Sequence, residues 1–542
     1  MMPSKKPLRL AVLTLCLLTA LSGCAKAGPE DAAPPPETPS PTAVPSFSGS
    51  EPVIFYEQTS PDFHSSGYDD NYLIMPGGGI SKKEHVYFQH LSADRQYLYH
   101  LTYDDDLVVT KDGLESLIAS GVHMAGYWIQ NDVILYTERI IADPHAVYTQ
   151  HYRYIYGDGQ SLLLGKNLDA HRASLSENGH LLFFDKSDGT LYLLPKDQDV
   201  PRAIASVKGD VYVKPLSVNA DATMCFWTDA SSPGESTLYV WDGITQKAEA
   251  LASVPVSRPM GVQNDNDYSV FFVGDEAVAY HRFSNELFVK KAGAPAAGVR
   301  LPGNSALRGH VFTDKGRLDK DPTHTALPPY IYCITEDASQ QTLHCVDTRS
   351  LEVYTLLKHL SRLEILNGTV YYTDIYGTLH SATLSGPRLE DVAALSEDVK
   401  YTFCRTLDGQ HVFFIRHGGG AYADLYCAPK GGAGVWIASD VSSWLGQGID
   451  NKTLFFFRHV QQPSETKKMQ TGTLMRYTLG DDGPTHIADN VLVSIPSVGY
   501  HDPHLSQWGI STIDPSFFPF FIYKGWSEEA HSLVCDLMYY DG

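Results

Sequence analysis

Pairs of adjacent large apolar residues recur along this chain at nearly constant intervals, and that spacing restricts its fold more than any other feature. The pairs are Tyr87-Phe88, Leu135-Tyr136, Phe183-Phe184, Phe226-Trp227, Phe271-Phe272, Ile331-Tyr332, Tyr371-Tyr372, Phe413-Phe414 and Phe455-Phe456. Successive pairs lie about 40 to 48 residues apart, with one longer step of about 60. The unit is clearest at residues 180–194, HLLFFDKSDGTLYLL, where two apolar runs flank Asp188-Gly189, a turn dipeptide that tolerates positive φ. This reads as a β-hairpin. Upstream, Asn178-Gly179 supplies a further turn, so three strands follow one another within about twenty residues. Such a meander cannot bury both faces by itself and needs neighbours of its own kind.

Two further markers keep the same beat. Third strands are expected at Thr237-Leu238-Tyr239-Val240, Thr342-Leu343-His344-Cys345, Thr378-Leu379-His380-Ser381, Asp424-Leu425-Tyr426-Cys427 and Thr473-Leu474-Met475-Arg476. Each unit then ends on a short segment, as in Leu117-Ile118-Ala119-Ser120, Ala203-Ile204-Ala205-Ser206, Ala250-Leu251-Ala252-Ser253, Trp436-Ile437-Ala438-Ser439 and His486-Ile487-Ala488-Asp489. A period of about 42 residues accommodates four short antiparallel strands with tight turns, the blade of a β-propeller. The turn at 174–184, with Asn219-Ala220-Asp221 before Phe226 and Leu407-Asp408-Gly409 before Phe413, resembles that of TolB-like propellers, without their turn proline. The unit Asn367-Gly368-Thr369-Val370-Tyr371-Tyr372 is similar to related repeats in secreted proteins of Gram-positive bacteria. The resemblance spans roughly residues 86–490 and implies a blade style, not a function. The expected fold is all-β, one propeller of about eight four-stranded blades, with two smaller propellers in tandem as the alternative. Residues 292–327 hold the long step and several prolines, which reads as an insertion or a sub-domain boundary. Pro52-Val53-Ile54-Phe55-Tyr56 is expected to complete the last blade beside the terminal strand.

The amino terminus bears on location. Lys5, Lys6 and Arg9 precede an apolar run from Leu10 to Leu21, long enough for a signal-peptide core and short for a membrane span. Leu21-Ser22-Gly23-Cys24 resembles the lipobox of bacterial lipoproteins, which implies cleavage after Gly23 and a diacylglycerol on the Cys24 sulfur. Residues 1–23 are then a lipoprotein signal peptide, 24–50 a Pro-rich disordered tether, and 51–542 the propeller. The implied location is the extracytoplasmic face of a bacterial cell membrane, held there by acyl chains. The formal charge is −22, and cleavage would remove Lys5, Lys6 and Arg9 and no acid, taking it to −25. Such a surface repels phosphate backbones, which argues against a nucleic-acid partner.

Linear catalytic motifs are not found. Ser464-Glu465-Thr466-Lys467 matches Ser-x-x-Lys by composition, yet it lies in a polar run rather than at the start of a buried helix. The acidic stretches Tyr103-Asp104-Asp105-Asp106 and Tyr68-Asp69-Asp70-Asn71 lack the ligand spacing of a calcium loop. His501, Asp502 and His504 form the most suggestive polar cluster, although Pro503 between them splays the candidates for a metal. Cys333 and Cys345 fall on the two strands of one expected hairpin, the best-placed pair for a disulfide. No cofactor is implied. The sequence therefore reads as a binding or scaffolding module for a glycan, a small ligand or an envelope protein. An extracytoplasmic hydrolase or lyase, its site assembled from several blade loops, is the alternative.

Overall fold

The computed structural model describes most strands and many turns between residues 55 and 540; residues 1–54, 59–69, 256–267, 462–469, 494–511 and several shorter loops lie outside the described residues. Among the described residues the chain is all-β and contains no helix. Five separate four-stranded antiparallel sheets follow one another, spanning 86–119, 128–166, 173–206, 212–255 and 268–300. An eight-stranded and a ten-stranded sheet come next, each built of consecutive meanders fused through one long strand, Val353–Leu366 or Val435–Gly448. Neighbours within each meander are neighbours in sequence, except that Ala306–Thr313 pairs with Tyr330–Asp337 while the two-residue strand Gly316–Arg317 lies on its other side. This serial stack of meanders is propeller-like.

The paired residues explain how the sheets stack. Side chains alternate along a strand, so two adjacent large apolar residues must point to opposite faces, and both need cover. In the sheet of 173–206, Phe183 packs back against Leu135 of the preceding sheet, while Phe184 packs forward against Cys225 and Trp227 of the next. Trp227 and Phe226 divide the same way, as do Phe271 and Phe272, Ile331 and Tyr332, Tyr371 and Tyr372, Phe413 and Phe414, and Phe455 and Phe456. Each hydrophobic cluster is thus an interface between successive meanders. A recurrent cross-strand pair fills it: Phe183 on Tyr192, Trp227 on Tyr239 and Phe414 on Tyr426 are register partners with stacked rings.

The unit-ending segments carry a second device. Leu191 pairs with Ala205 and Tyr192 with Ala203, so Ile204 is an extra residue without a partner. The same two-for-one step omits Ile118, Leu251, Leu356, Leu395, Ile437 and Ile487 in other meanders. A β-bulge of this kind turns two consecutive side chains the same way and twists the edge strand. Ile437 and Ala438 are accordingly both buried. The first turn of the meander also repeats. Ser176, Asn219 and Thr406 each accept the backbone N–H three residues on, and their side-chain oxygens accept a second N–H at 2.9, 2.9 and 3.0 Å.

The structure places three segments that the sequence singled out, and it corrects two of those expectations. Within residues 292–327, Ala297–Arg300 is the last strand of one sheet and Ala306–Thr313 opens the next. Phe55–Gln58 pairs with Asp70–Ile74 in a separate three-stranded sheet, whereas the terminal hairpin Phe518–Ser527 and Ser532–Tyr540 pairs with Thr485–Leu492. The first strand therefore does not lie beside the last. Cys333 and Cys345 are free thiols. Cys333 pairs with His344 and Cys345 with Tyr332, which sends the two sulfurs to opposite faces of the sheet and into different clusters.

Two outcomes follow from this packing. Phe413→Ala and Phe414→Ala should each destabilise the protein by about 3–5 kcal/mol in denaturant unfolding, since each opens a cavity at a different interface. A neutral effect at either position would mean that the strand has an exposed face. Burial pushes the Cys345, Cys404 and Cys427 thiols up to about 12 and those of Cys225 and Cys333 higher still. A thiol reagent at neutral pH should leave these five unmodified until denaturant is added, and mass spectrometry should find no Cys333–Cys345 bridge.

Candidate functional site

The first-to-second and third-to-fourth strand turns of a meander emerge at the same end of its sheet. Between the sheets of 173–206 and 212–255 these turns enclose a cleft of about 800 Å³, lined by Asn178, His180, residues 195–199, Arg202 and the 220–223 turn. Its chemistry is polar. Lys196, Asp197, Gln198, Asp199, Arg202, Asp221 and Thr223 all contribute to the wall.

The wall is built from behind. Arg153, on the strand Ala146–Ile155 of the preceding sheet, is buried and donates to the carbonyls of Pro195 at 3.1 Å and Gln198 at 2.7 Å. Its other terminal nitrogen meets Asp199 Oδ1 at 2.7 Å, joining a side chain 2% exposed to one 82% exposed. The turn over 195–199 thus has a fixed shape before any ligand arrives, which lowers the ordering cost of binding. His180 fixes the floor. Its Nδ1 accepts the Lys196 N–H at 3.0 Å, so the ring proton sits on Nε2, which donates to the Ala220 carbonyl at 2.6 Å. Both ring nitrogens are committed to backbone of two successive sheets. In this state the imidazole is a clamp and has no lone pair left to act as a base. Arg202 lies over the Trp241 ring, 5.9 Å from its centroid.

A second latch joins the next two sheets. Lys290 Nζ meets Asp242 Oδ2 at 2.7 Å with both side chains 3% exposed, and the same oxygen accepts Gly293 N–H at 2.7 Å. Lys290 also donates to the Ala294 carbonyl. Burial by itself would raise the Asp242 carboxyl, but the Lys290 contact and the N–H groups of Gly293, Thr245 and Ile244 outweigh it and hold it below the usual carboxylate range. Nearer the first strands of later meanders, Glu364 accepts Arg362 Nη2 at 2.7 Å and lies 3.6 Å from Arg405 Nε. Burial lowers the proton affinity of the Arg405 guanidinium against the pull of Glu364.

Of the residues singled out by sequence, Cys24, His501, Asp502 and His504 lie outside the described residues. Among the described residues no group of three or more His, Cys, Asp or Glu side chains is placed to hold a metal ion, and no helix is long and apolar enough to cross a membrane. Arg153, Asp197, Asp199 and Asp221 were not anticipated. They come from turns and strands of three different repeats, and no linear spacing links them.

No family model matches the chain, and no curated protein matches it. Solved structures do. The crystal structure of the tricorn protease is similar at 10% identity and TM-score 0.30, over 90% of this chain and 52% of that one. Porphyromonas gingivalis dipeptidyl peptidase 4 is similar at 10% identity and TM-score 0.36, over 82% and 63%. An oligogalacturonate lyase in complex with manganese gives 10% and 0.27, over 70% and 97%. The chain therefore spans less than two thirds of either peptidase. None of these likenesses reaches a TM-score of 0.5, and the functional reading rests on this chain's own geometry.

The buried latch carries a pH signature. A carboxyl held below its unfolded value stabilises the protein above that value, and the contribution is lost as pH falls through the lowered folded value. Lys290→Met should cost about 3 kcal/mol at neutral pH, because it leaves Asp242 buried without its cation. The same variant should also flatten the loss of stability between about pH 5 and pH 2. Parallel acid limbs for variant and parent in chemical denaturation would show that the pair contributes no linkage.

Proposed function

We propose that this chain is a lipid-anchored, extracytoplasmic β-propeller lipoprotein that works as a binding module, with its ligand seated in the cleft between the 173–206 and 212–255 sheets. The fused and separate meanders are its blades. The observation that carries this reading is the pre-shaped polar wall: Arg153 holds the 195–199 turn while Asp197 and Asp221 have no ion-pair partner among the described residues. Those carboxylates, with Asn178 and Gln198, can hydrogen-bond a glycan, a small polar ligand or an envelope protein. A binding role fits better than hydrolysis or lysis. The cleft's imidazole is spent on backbone, and the thiols of Cys225, Cys333, Cys345, Cys404 and Cys427 are held protonated by burial. The lipobox-like Leu21-Ser22-Gly23-Cys24 supports the anchor, and the Pro-rich segment after it supports a tether.

Two measurements test the two halves separately. Intact-mass analysis should find the mature chain acylated and in the membrane fraction, and Cys24→Ser should release it; a lipid-free mature protein in the membrane fraction would remove the anchor. A thermal-shift panel of oligosaccharides, small polar metabolites and peptides should give at least one stabilising ligand whose effect is lost in Asp197→Asn/Asp221→Asn. Catalytic turnover of a panel member, abolished by the same double substitution, would replace the binding role with the hydrolase or lyase.

A further inference from the structure

The hairpin of Phe518–Ser527 and Ser532–Tyr540 covers the edge left by Thr485–Leu492 and in doing so creates another. Ser532–Tyr540 is the outermost strand of the ten-stranded sheet, and among the described residues its far side pairs with no strand. Exposed edges are ordinarily blunted by a bulge, a proline or a lysine. This one has none of them. Its nine residues, Ser-Leu-Val-Cys-Asp-Leu-Met-Tyr-Tyr, hold no Pro, Gly, Lys or Arg and a single charge, at Asp536. The one register shift in the hairpin, between Tyr523 and Gly525, leaves the extra residue, Lys524, on the inner strand, so the outer strand runs unbroken from 532 to 540. Fourth strands elsewhere in the stack carry the extra residue themselves. A regular, apolar edge of nine residues is a template for a further strand.

Length and charge select the occupant. The outer strands of the three-stranded sheet, Phe55–Gln58 and Ile80–Lys83, have four residues each and would leave more than half of Ser532–Tyr540 uncovered. A second copy offers a strand of equal length, and antiparallel pairing about a two-fold axis satisfies both edges at once and stops there. Opposed residues of an antiparallel pair share a face, so an axis normal to the sheet must pass through a residue. At Asp536 it would set two carboxylates against each other, and at Cys535 it would leave both tyrosines unpaired. At Leu537 it sets Asp536 against Met538, Cys535 against Tyr539 and Val534 against Tyr540 of the copy, which keeps the acids apart and gives each tyrosine a small apolar partner. Leu537 is the register partner of Phe521 and so falls on the face opposite that of Phe520, which is buried in the cluster with Phe455 and Val491. We propose that Ser532–Tyr540 is a homodimerisation edge: two copies pair antiparallel through it, with the two-fold axis at Leu537, to form one continuous sheet. This surface is separate from the cleft and does not depend on its ligand.

The test is analytical ultracentrifugation of the mature chain carrying Cys24→Ser, which keeps acyl chains out of the measurement. The parent should sediment as a reversible dimer. Leu537→Lys and Leu537→Glu each oppose like charges at the axis and should weaken the dimer by about tenfold, while their equimolar mixture should recover it, because opposite charges then meet. Recovery requires that both variants fold, so it separates lost pairing from lost structure. The milder Leu537→Cys should be joined to its copy by a short bismaleimide and run at twice the chain mass on a denaturing gel, whereas the parent, with Cys535 against Tyr539, should not. Four results would overturn the proposal. A parent that is monomeric at every concentration would leave the edge to another protein's strand or to none. A dimer that persists unchanged in both charged variants would place the interface elsewhere. A mixture that stays monomeric, with melting temperatures unchanged, would put Leu537 away from its copy. Cross-linking of the parent as readily as of Leu537→Cys would move the axis to Cys535.

Discussion

From the sheet of 128–166 onward the described meanders are committed on both faces, and the rest of the architecture depends on that commitment. A sheet that buries one face can alternate apolar and polar residues and stop at two layers. Here the second strand carries adjacent large residues, so Phe183 and Phe184, or Phe413 and Phe414, demand cover from opposite sides. A sheet so made must lie between two others. Repetition then follows from packing, because the neighbour that covers one face has the same unmet need on its own far side. Full burial of each such side chain contributes about 1.5–3 kcal/mol, spread evenly along the stack instead of gathered in one core.

A serial stack leaves the fourth strand of each meander at an edge, and edges invite pairing with other chains. The repeated bulge addresses this. By placing Ile204 and Ala205, or Ile437 and Ala438, on the inner side together, it adds apolar cover to the interface and twists the outer strand out of a flat, pairable shape. The terminal hairpin covers one such edge, at Thr485–Leu492, and in two further places the edge is removed by fusion. Val353–Leu366 and Val435–Gly448 each run on from the last strand of one meander into the first of the next.

Much of this was legible in the sequence, for physical reasons that also mark where legibility ends. Period and strand order were readable because the doublets, third strands and Ile-Ala endings are each imposed by packing at a fixed place in the unit. The bulge was visible as a recurring segment, but two consecutive inward side chains look like ordinary strand in a linear reading. Cys333 and Cys345 were misread because a hairpin places residues near one another without deciding the face, and a one-residue difference in register sends their sulfurs apart. The cleft was not readable. Arg153, His180, Asp199 and Asp221 belong to three successive repeats, and only the stacking of sheets brings them to one wall.

The same commitment of faces that builds the stack decides where function can reside. Strand surfaces are consumed by neighbours and outer strands by bulges, which leaves the turns as the part of each unit free to vary. A turn displayed at the end of a sheet is mobile unless something holds it, and apolar packing does not reach that far. Here the holding is electrostatic and comes from the adjacent repeat: Arg153 reaches the carbonyls of the 195–199 turn, and Lys290 with Gly293 N–H fixes the Asp242 turn. Burying such ions costs desolvation energy that an apolar pair would avoid. Their presence at turns on either side of the cleft, where shape rather than stability is at stake, is what joins the scaffold to its proposed binding face.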